Sequence, residues 1–357
     1  MINRFIRQCN GLWIESGFCR GILHVMKKVT IQDIARVSGV SKSTVSRVLN
    51  GTAQVNPEKK KAVLDATKRL GFQPNVLAQS LASGRSSSVG VLTQMIGSPF
   101  YDAISQGLIA GLSGTNYSPI FADGRWEKAE QKDALNALVG RRVDGVVVIG
   151  GTLSSAQVSK ITGELPVLLV ARKCDLNQYP AISVNNEFGA YQATKHLLES
   201  GHQRIALISG LSDHGDAKDR FKGFQRAVLE AGLSFEERLV VDGDFSAESG
   251  VKGIETLLAQ GVEFTAVFAA NDLSAYGARL GLSRAGLRVP EDVAVVGFDD
   301  QMESQYMTPP LSSVRQPARE MGERAAEAMV QLLGEANFES IELVPELVIR
   351  QSSEVRR

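Results

Sequence analysis

Residues 41–51, SKSTVSRVLNG, open on a hydroxyl residue, close on glycine, and space Val45, Val48 and Leu49 at i, i+3 and i+4. That spacing puts the three on one face of a helix and leaves Lys42, Ser43, Ser46, Arg47 and Asn50 on the other. No carboxylate interrupts the polar face. Arginine can donate two hydrogen bonds to a guanine edge, and short donors at the helix start reach neighbouring bases. This is the chemistry of reading a nucleic acid, not of making or breaking a bond. A second set of reactive types follows apolar runs. Arg172 comes after PVLLVA, Asn271-Asp272 after AVFAA and Asp299-Asp300 after VAVVGF, and Arg220 sits about one helix start beyond ALISG. A carboxylate and a guanidinium, as in Asp299 and Arg220, can grip vicinal hydroxyls, and Asn271 would add a donor and an acceptor. Phe100, Tyr101, Trp126 and Phe245 offer faces for a sugar ring or a base. Each also has a structural alternative: helix caps for Asn271 and Asp272, core packing for Phe100, a solvated strand end for Arg172-Lys173.

The whole-chain charge conceals the first of these partners. The formal net charge is +0, yet residues 27–85 hold 11 Lys/Arg against 3 Asp/Glu, while residues 86–357 hold 25 against 35. A small basic module on an acidic body points to a polyanionic partner for that module alone. Charged content of 22% and hydrophobic content of 43% over 357 residues suit two or three globular domains. No run nears the roughly 18 apolar residues of a membrane helix. Cys9, Cys19 and Cys174 form no CxxC pair or disulfide framework, so a reducing cytoplasm is the default. The four histidines are scattered, and nucleophile-elbow, dinucleotide and phosphate-loop motifs are absent. Enzyme, metal and cofactor readings therefore have nothing to stand on. Residues 1–26 start basic, but Asn10, Gly11, Glu15 and Gly17 break any apolar run that a signal peptide would need. They read as a disordered arm or an upstream-start extension.

The elements that must position the first set are short helices. Thr30 is placed to cap a helix over Ile31, Ile34, Ala35 and Val37, which are expected to face inward. Gly39 can turn the chain sharply and Ser41 can cap the next helix. Two helices joined by a glycine turn, the second with a polar face, make a helix-turn-helix. Asn56-Pro57 begins a third helix that Gly71 ends. Pro74 to Ala82 is apolar but too short to hold a helix alone, and SGRSSS after it reads as linker. It is either a plain connection or a hinge helix ordered by DNA and a second copy, with Leu81 as a minor-groove wedge.

VTIQDIARVSGVSKSTVSRVLNG, the helix from Asn56 to Gly71, and GFQPNVLAQSLASGR together resemble the DNA-binding headpiece and hinge of the lactose-repressor (LacI/GalR) family, without gaps from about Val29 to Arg85. The resemblance implies a homodimer, with a higher oligomer left open, on a palindromic double-stranded operator. DNA contacts are expected from Thr30, Lys42, Ser43, Thr44, Ser46, Arg47 and Asn50, and from Asn75, Leu77, Ala78 and Leu81 in the hinge.

From Val89 onward, β-branched runs at 89–95, 143–150, 166–172, 204–210, 265–272 and 293–300 alternate with amphipathic helical stretches. Such alternation means parallel sheets covered on both faces, too many strands for one sheet, and a ligand in the crevice at the strand ends. The expected fold class is an all-α headpiece with hinge joined to an α/β core of two lobes. RRVDGVVV, SGHQRIALISG, DRFKGF, GDFSAESG, AANDLSAYGA, RVPEDVAVVGFDD and PPLSSVRQP resemble the same family's effector core, with periplasmic-binding-protein-like lobes. It implies effector contacts from Phe100, Tyr101, Arg220, Phe245, Asn271 and Asp299, to which the reading of the residues themselves adds Arg172, His214 and Asp216. It also implies domains at 27–73, 74–86 and 87–357, with crossings between lobes near Asn185, near Gln316 and near residue 335. His214 and Asp216 stand where purine-responsive members carry an arginine and a threonine, which argues for a sugar instead. Arg172-Lys173 leave a sugar phosphate or sugar acid open. The expected function is a repressor of sugar uptake or catabolism genes released by its effector, with a corepressor mode as the alternative.

Overall fold

The computed structural model describes residues 29–50, 55–72, 84–173 and 178–354, and the chain divides after Gly84 into two units. The expected hinge contacts Asn75, Leu77, Ala78 and Leu81 lie outside the described residues, as does the side chain of Asn50.

The headpiece unit has three helices: α1 (Ile31–Ser38), α2 (Lys42–Asn50) and α3 (Pro57–Leu70). Each start has the local chemistry that its sequence suggests. Thr30 and Asp33 form a reciprocal capping box on α1, the Ser41 hydroxyl accepts the Thr44 N–H at 3.3 Å, and Asn56 Oδ1 accepts the Glu58 N–H at 2.8 Å. Gly39 at φ 70° ends α1 in the left-handed conformation and turns the chain into α2. Ile34, Val45, Val63 and Ala66 form the buried core, with Val48 and Leu49 packed at its edge. Ile31 and Val37, expected inward, are 39% and 38% exposed, because so small a core covers only the Ile34 stripe of α1.

The core unit folds as two α/β lobes. The N-lobe sheet is entirely parallel, in the order β11-β5-β4-β3-β1-β2. Its strands are β1 (Ser88–Thr93), β2 (Ser118–Asp123), β3 (Gly145–Ile149), β4 (Val167–Val170), β5 (Ala181–Val184) and β11 (Ile341–Leu343). Helices α4 (Pro99–Leu112) and α11 (Ala318–Leu333) cover one face, and α5 (Lys128–Gly140) with α6 (Ser155–Thr162) the other. The C-lobe sheet repeats the plan in the order β12-β10-β9-β8-β6-β7, with only β12 antiparallel. It comprises β6 (Ile205–Ile208), β7 (Val240–Val241), β8 (Ala266–Ala269), β9 (Ala294–Asp299), β10 (Ser312–Arg315) and β12 (Glu346–Val348). Helices α7 (Asn186–Glu199) and α8 (Gly215–Glu230) lie on one side, α9 (Ala247–Ala259) and α10 (Asp272–Arg284) on the other.

The all-apolar strands are buried on both faces, as covered parallel sheets require. Strand order reverses beside β1 in one lobe and beside β6 in the other, so the loops leaving β1, β3, β6 and β8 open a crevice at the carboxyl ends. The chain crosses between lobes after β5 at Asn185 and after β10 at Gln316-Pro317. The third crossing, expected near residue 335, lies instead at Val344-Pro345. Ile341–Leu343 pair with Ile182–Val184 and hold the chain on the N-lobe for ten more residues, before Glu346–Val348 join the C-lobe sheet.

Candidate ligand cleft and nucleic-acid face

The strand-end residues of the two lobes meet around a chamber of about 320 Å³. The loop after β1 and the start of α4 bring Phe100 and Tyr101, and the loop after β2 brings Trp126. From the C-lobe come His214, Asp216 and Arg220 around the start of α8, Phe245 before α9, Asn271 at the head of α10 and Asp299 at the end of β9. Eight of the nine expected effector contacts therefore line one cavity. The ninth, Arg172, lines an adjoining chamber of about 360 Å³, to which His214 and Asp216 also belong.

Aromatic rings form the link from lobe to lobe. Phe100–Tyr101, Tyr101–Trp126, Trp126–His214 and His214–Phe245 stand edge to face with centroids 5.2, 5.8, 4.4 and 5.5 Å apart. Trp126–His214 is the step at which this series passes between lobes. The Phe245 ring packs on Gly210, where an added Cβ would lie 2.0 Å from it, so only glycine leaves room.

Charge in the chamber is buried and held. The Arg220 guanidinium is stacked 3.8 Å from the Phe298 ring centroid, Nε donates to Asn186 Oδ1 at 2.8 Å, and a terminal N–H donates to the Ala270 carbonyl. Asp299 lies 3.9 Å from Arg220 and accepts Gln316 Nε2–H at 2.7 Å. Burial nonetheless pushes the Asp299 carboxyl up to about 6, with Arg220 opposing. Burial likewise raises the Tyr101 phenol and lowers His214, whose imidazole is thereby favoured in its neutral form. Arginine has five N–H donors, so Arg220 keeps some for a ligand while its orientation is set.

Asn271 does less free work than expected. Its Oδ1 caps α10 by accepting the Ser274 N–H at 2.9 Å, and its Nδ2 donates to the Phe245 carbonyl at 2.9 Å. Each amide atom keeps further hydrogen-bonding capacity beyond these two structural bonds. Asp272 is wholly internal. It accepts from the Gln301 N–H at 2.8 Å, Ser304 Oγ at 2.6 Å and Ser313 Oγ, and burial pushes its carboxyl up to about 8. Asp300 is paired with Arg315 and Arg350 at 2.8 and 2.7 Å. Only Asp299 of these three carboxylates lines the chamber.

Three residues of the chamber lining, Trp126, Phe245 and Asp299, have positive φ, as do their chain neighbours Arg125 and Asp300 and, in the adjoining chamber, Ala171. Such conformations cost on the order of 1–3 kcal/mol each and persist where surroundings over-determine them, as at binding sites. Asp244 and Ser246 also line the chamber and were not expected. They follow β7, whose two residues leave no apolar run to mark a strand end. Among the described residues, no group of three or more His, Cys, Asp or Glu could hold a metal ion, and no helix is long and apolar enough to cross a membrane.

On the headpiece, Lys42, Ser43 and Arg47 are exposed along α2, with Thr44 and Ser46 half-buried. The Lys42 ammonium donates to Gln32 Oε1 at 2.9 Å, which holds it over the junction of α1 and α2. Thr30 is tied into the capping box, its hydroxyl donating to Asp33 Oδ2 at 2.7 Å.

Residues 30–75 match bacterial regulatory proteins of the lacI family, and residues 194–353 match a periplasmic binding protein-like domain. The chain is 33% identical to catabolite control protein A of Priestia megaterium over 91% of its own length and 99% of that protein. It is also 33% identical to the transcriptional repressor PurR of Photobacterium profundum, over 90% and 98%. A lac repressor dimer solved with operator and the anti-inducer ONPF superposes with a TM-score of 0.83 at 29% identity, covering 92% of this chain and 100% of that one. The regulator CelR in complex with cellobiose gives 0.69 at 34% identity, covering 91% and 99%. With a helix-turn-helix headpiece, a two-lobed core of parallel sheets and relatives aligned along nine-tenths of its length, the chain belongs to the LacI family of bacterial regulatory proteins.

Proposed function

We propose that the protein is a sugar-responsive transcriptional repressor. Two headpieces of a homodimer hold a palindromic operator in the cytoplasm, and a small sugar bound between the lobes releases it. The observation that carries this reading is the composition of the cleft. An aromatic series spans both lobes beside a buried Arg220–Asp299 pair, the combination that serves the apolar face and the hydroxyls of a sugar ring. The cellobiose complex of the similar CelR supports a sugar as ligand. Because both lobes contribute walls, the ligand binds most tightly at one lobe separation, and that differential affinity is what can shift the headpieces. Nothing in this mechanism makes or breaks a covalent bond.

The test is calorimetry of the full chain against a panel of mono- and disaccharides and nucleobases, followed by operator titration with any binder. A sugar that binds and lowers operator affinity is the expected result. A purine as the tight ligand, or a sugar that raises operator affinity, would replace the reading with a purine sensor or a corepressor.

A further inference from the structure

Arg220 and Asp299 both belong to the C-lobe, yet each is held by a residue that stands where the chain passes between lobes. Buried Asn186 begins α7 directly after the crossing at Asn185. Its Oδ1 accepts the Arg220 Nε–H at 2.8 Å, and its Nδ2 donates to the Val184 carbonyl at 3.3 Å. Val184 is the last residue of β5 in the N-lobe. One buried amide therefore joins a guanidinium of the ligand chamber to the sheet of the other lobe. Gln316 repeats the arrangement at the second crossing. It too is buried, and its Nε2 donates to Asp299 Oδ1 at 2.7 Å. Its carbonyl accepts, at 2.8 Å, the N–H of Ala318, the first residue of α11 in the N-lobe.

The third crossing is reached through packing. The Arg220 guanidinium lies on the Phe298 ring at 3.8 Å, and Gly189 lies between Phe298 and Pro345, where an added Cβ would stand 3.0 Å from each. Helix α8, which carries Arg220, also rests its backbone on α7: a Cβ on Gly223 would lie 2.1 Å from the Glu187 carbonyl oxygen. Backbones packed so closely move as one body, since a dense interior transmits displacement instead of absorbing it.

Neither amide is the sole support of the residue it holds. Arg220 also has the Ala270 carbonyl and the Phe298 ring, both in the C-lobe, and Asp299 also has Arg220. What Asn186 and Gln316 add is attachment to the N-lobe, through bonds at both ends of a buried side chain or residue, and such satisfied networks are stiff. We propose that Asn186 and Gln316 are positioning residues for regulation. Through them a shift of Arg220 and Asp299 on effector binding is imposed on the first and second crossings. They set how strongly cleft and DNA are coupled, more than how tightly the effector binds. The proposal rests on reading the aromatic chamber as the effector site, and it does not depend on the effector being a sugar.

Trp126, one of two tryptophans in the chain, meets His214 across the lobes at 4.4 Å, so in a Trp13→Phe background its emission reports the lobe setting. The full chain is made with Asn186→Asp, which keeps an acceptor for Arg220 and loses the donor to Val184, or with Gln316→Met, which loses the donor to Asp299. A palindrome selected in vitro with the native chain is titrated alone while emission is read. It is then titrated by anisotropy with cellobiose, lactose, glucose or galactose at saturation. Coupling is reciprocal, so operator should change Trp126 emission in the native chain without any sugar. Both variants should still bind operator, with that change diminished. The ratio of operator Kd with and without a bound sugar should fall by about threefold or more in each, the scale of one hydrogen bond, while sugar affinity changes less. A variant that binds sugar more weakly but keeps the native ratio at saturation would show an ordinary structural brace and overturn the proposal. An emission change of native size in both variants would overturn it as well. Failure of all four sugars to bind would count against the sugar reading alone, and the emission titration would then decide. A native chain in which operator leaves Trp126 emission unchanged and no sugar alters operator affinity would overturn the proposal.

Discussion

The two recognition regions of this chain are built in opposite ways. The polar face of α2 presents Lys42, Ser43 and Arg47 outward from a four-residue core, with caps and a glycine turn fixing the helix beneath them. The cleft does the reverse. The side chains of Arg220 and Asp299 are shielded from solvent and oriented by Asn186, Ala270 and Gln316, with positive-φ backbone at Asp299 and Phe245. A face that must enter a groove about 12 Å wide gains from exposed donors. A chamber that must report on a small molecule gains from groups already held in place, since ordering them at binding would cost affinity. The difference teaches where damage should travel. A fault on α2 stays local, whereas a fault under the cleft spreads through the lobe.

The largest expected effect tests the buried side of that contrast. Asp272→Ala strands the Gln301 N–H and the Ser304 and Ser313 hydroxyls, and should destabilise the core by about 3 kcal/mol at neutral pH, read by chemical denaturation. The pH dependence has a definite sign. The folded carboxyl of Asp272 sits at about 8 against an ordinary 3.8, so above the ordinary value the unfolded chain sheds a proton that the folded chain keeps. Stability should therefore fall as pH rises from about 4 to 8 and level off beyond. Asp272→Asn should flatten that slope, and an unchanged slope would show that Asp272 is not its source.

Next in size is Arg47→Ala on α2. Loss of a bidentate base contact is worth about 1–3 kcal/mol, so specific operator affinity should drop by roughly 10- to 100-fold in an anisotropy titration. Effector affinity and the denaturation midpoint should stay as they were. A lowered midpoint would mean that the two regions do not differ as described. An effect of similar total size, but divided between stability and binding, is expected from Gly210→Ala, where the added methyl meets the Phe245 ring. Overpacking of this kind costs about 1–3 kcal/mol, and part of it should appear as weaker effector binding as Phe245 is displaced. Effector binding at full strength would take Phe245 out of the site.

The same contrast explains what could be read ahead of the structure. The α2 face was legible because caps, glycine turn and 3.6-residue period all lie within a dozen residues. The six strands expected from apolar runs correspond to β1, β3, β4, β6, β8 and β9, buried on both faces. The remaining strands escaped because they are short, polar or marginal, such as SSVR in β10, IEL in β11 and the two residues of β7. The third lobe crossing falls beyond residue 335 because β11 first carries the chain along the N-lobe sheet. In the cleft, strand ends announced Arg220, Asn271 and Asp299, but not who holds them. The burial of Asp272 arises when β9, the 3₁₀ turn Met302–Tyr306 and β10 close over it, and no local spacing records that. Lys128, Lys218 and Asp213 meet in the outer chamber only after the lobes are built, so their clustering was invisible along the chain.

The central claim is that occupancy of the cleft governs the affinity of the headpieces for DNA. The most direct measurement is anisotropy of a labelled palindrome, selected in vitro with the full chain, titrated with and without the effector for the native protein and for Asp299→Ala. Effector should weaken operator binding by the native protein by about 5- to 150-fold, the usual span of allosteric coupling. Asp299→Ala should bind the operator equally well and ignore the effector. An effector that binds the native protein but leaves its operator affinity unchanged, or a full response in Asp299→Ala, would contradict the account.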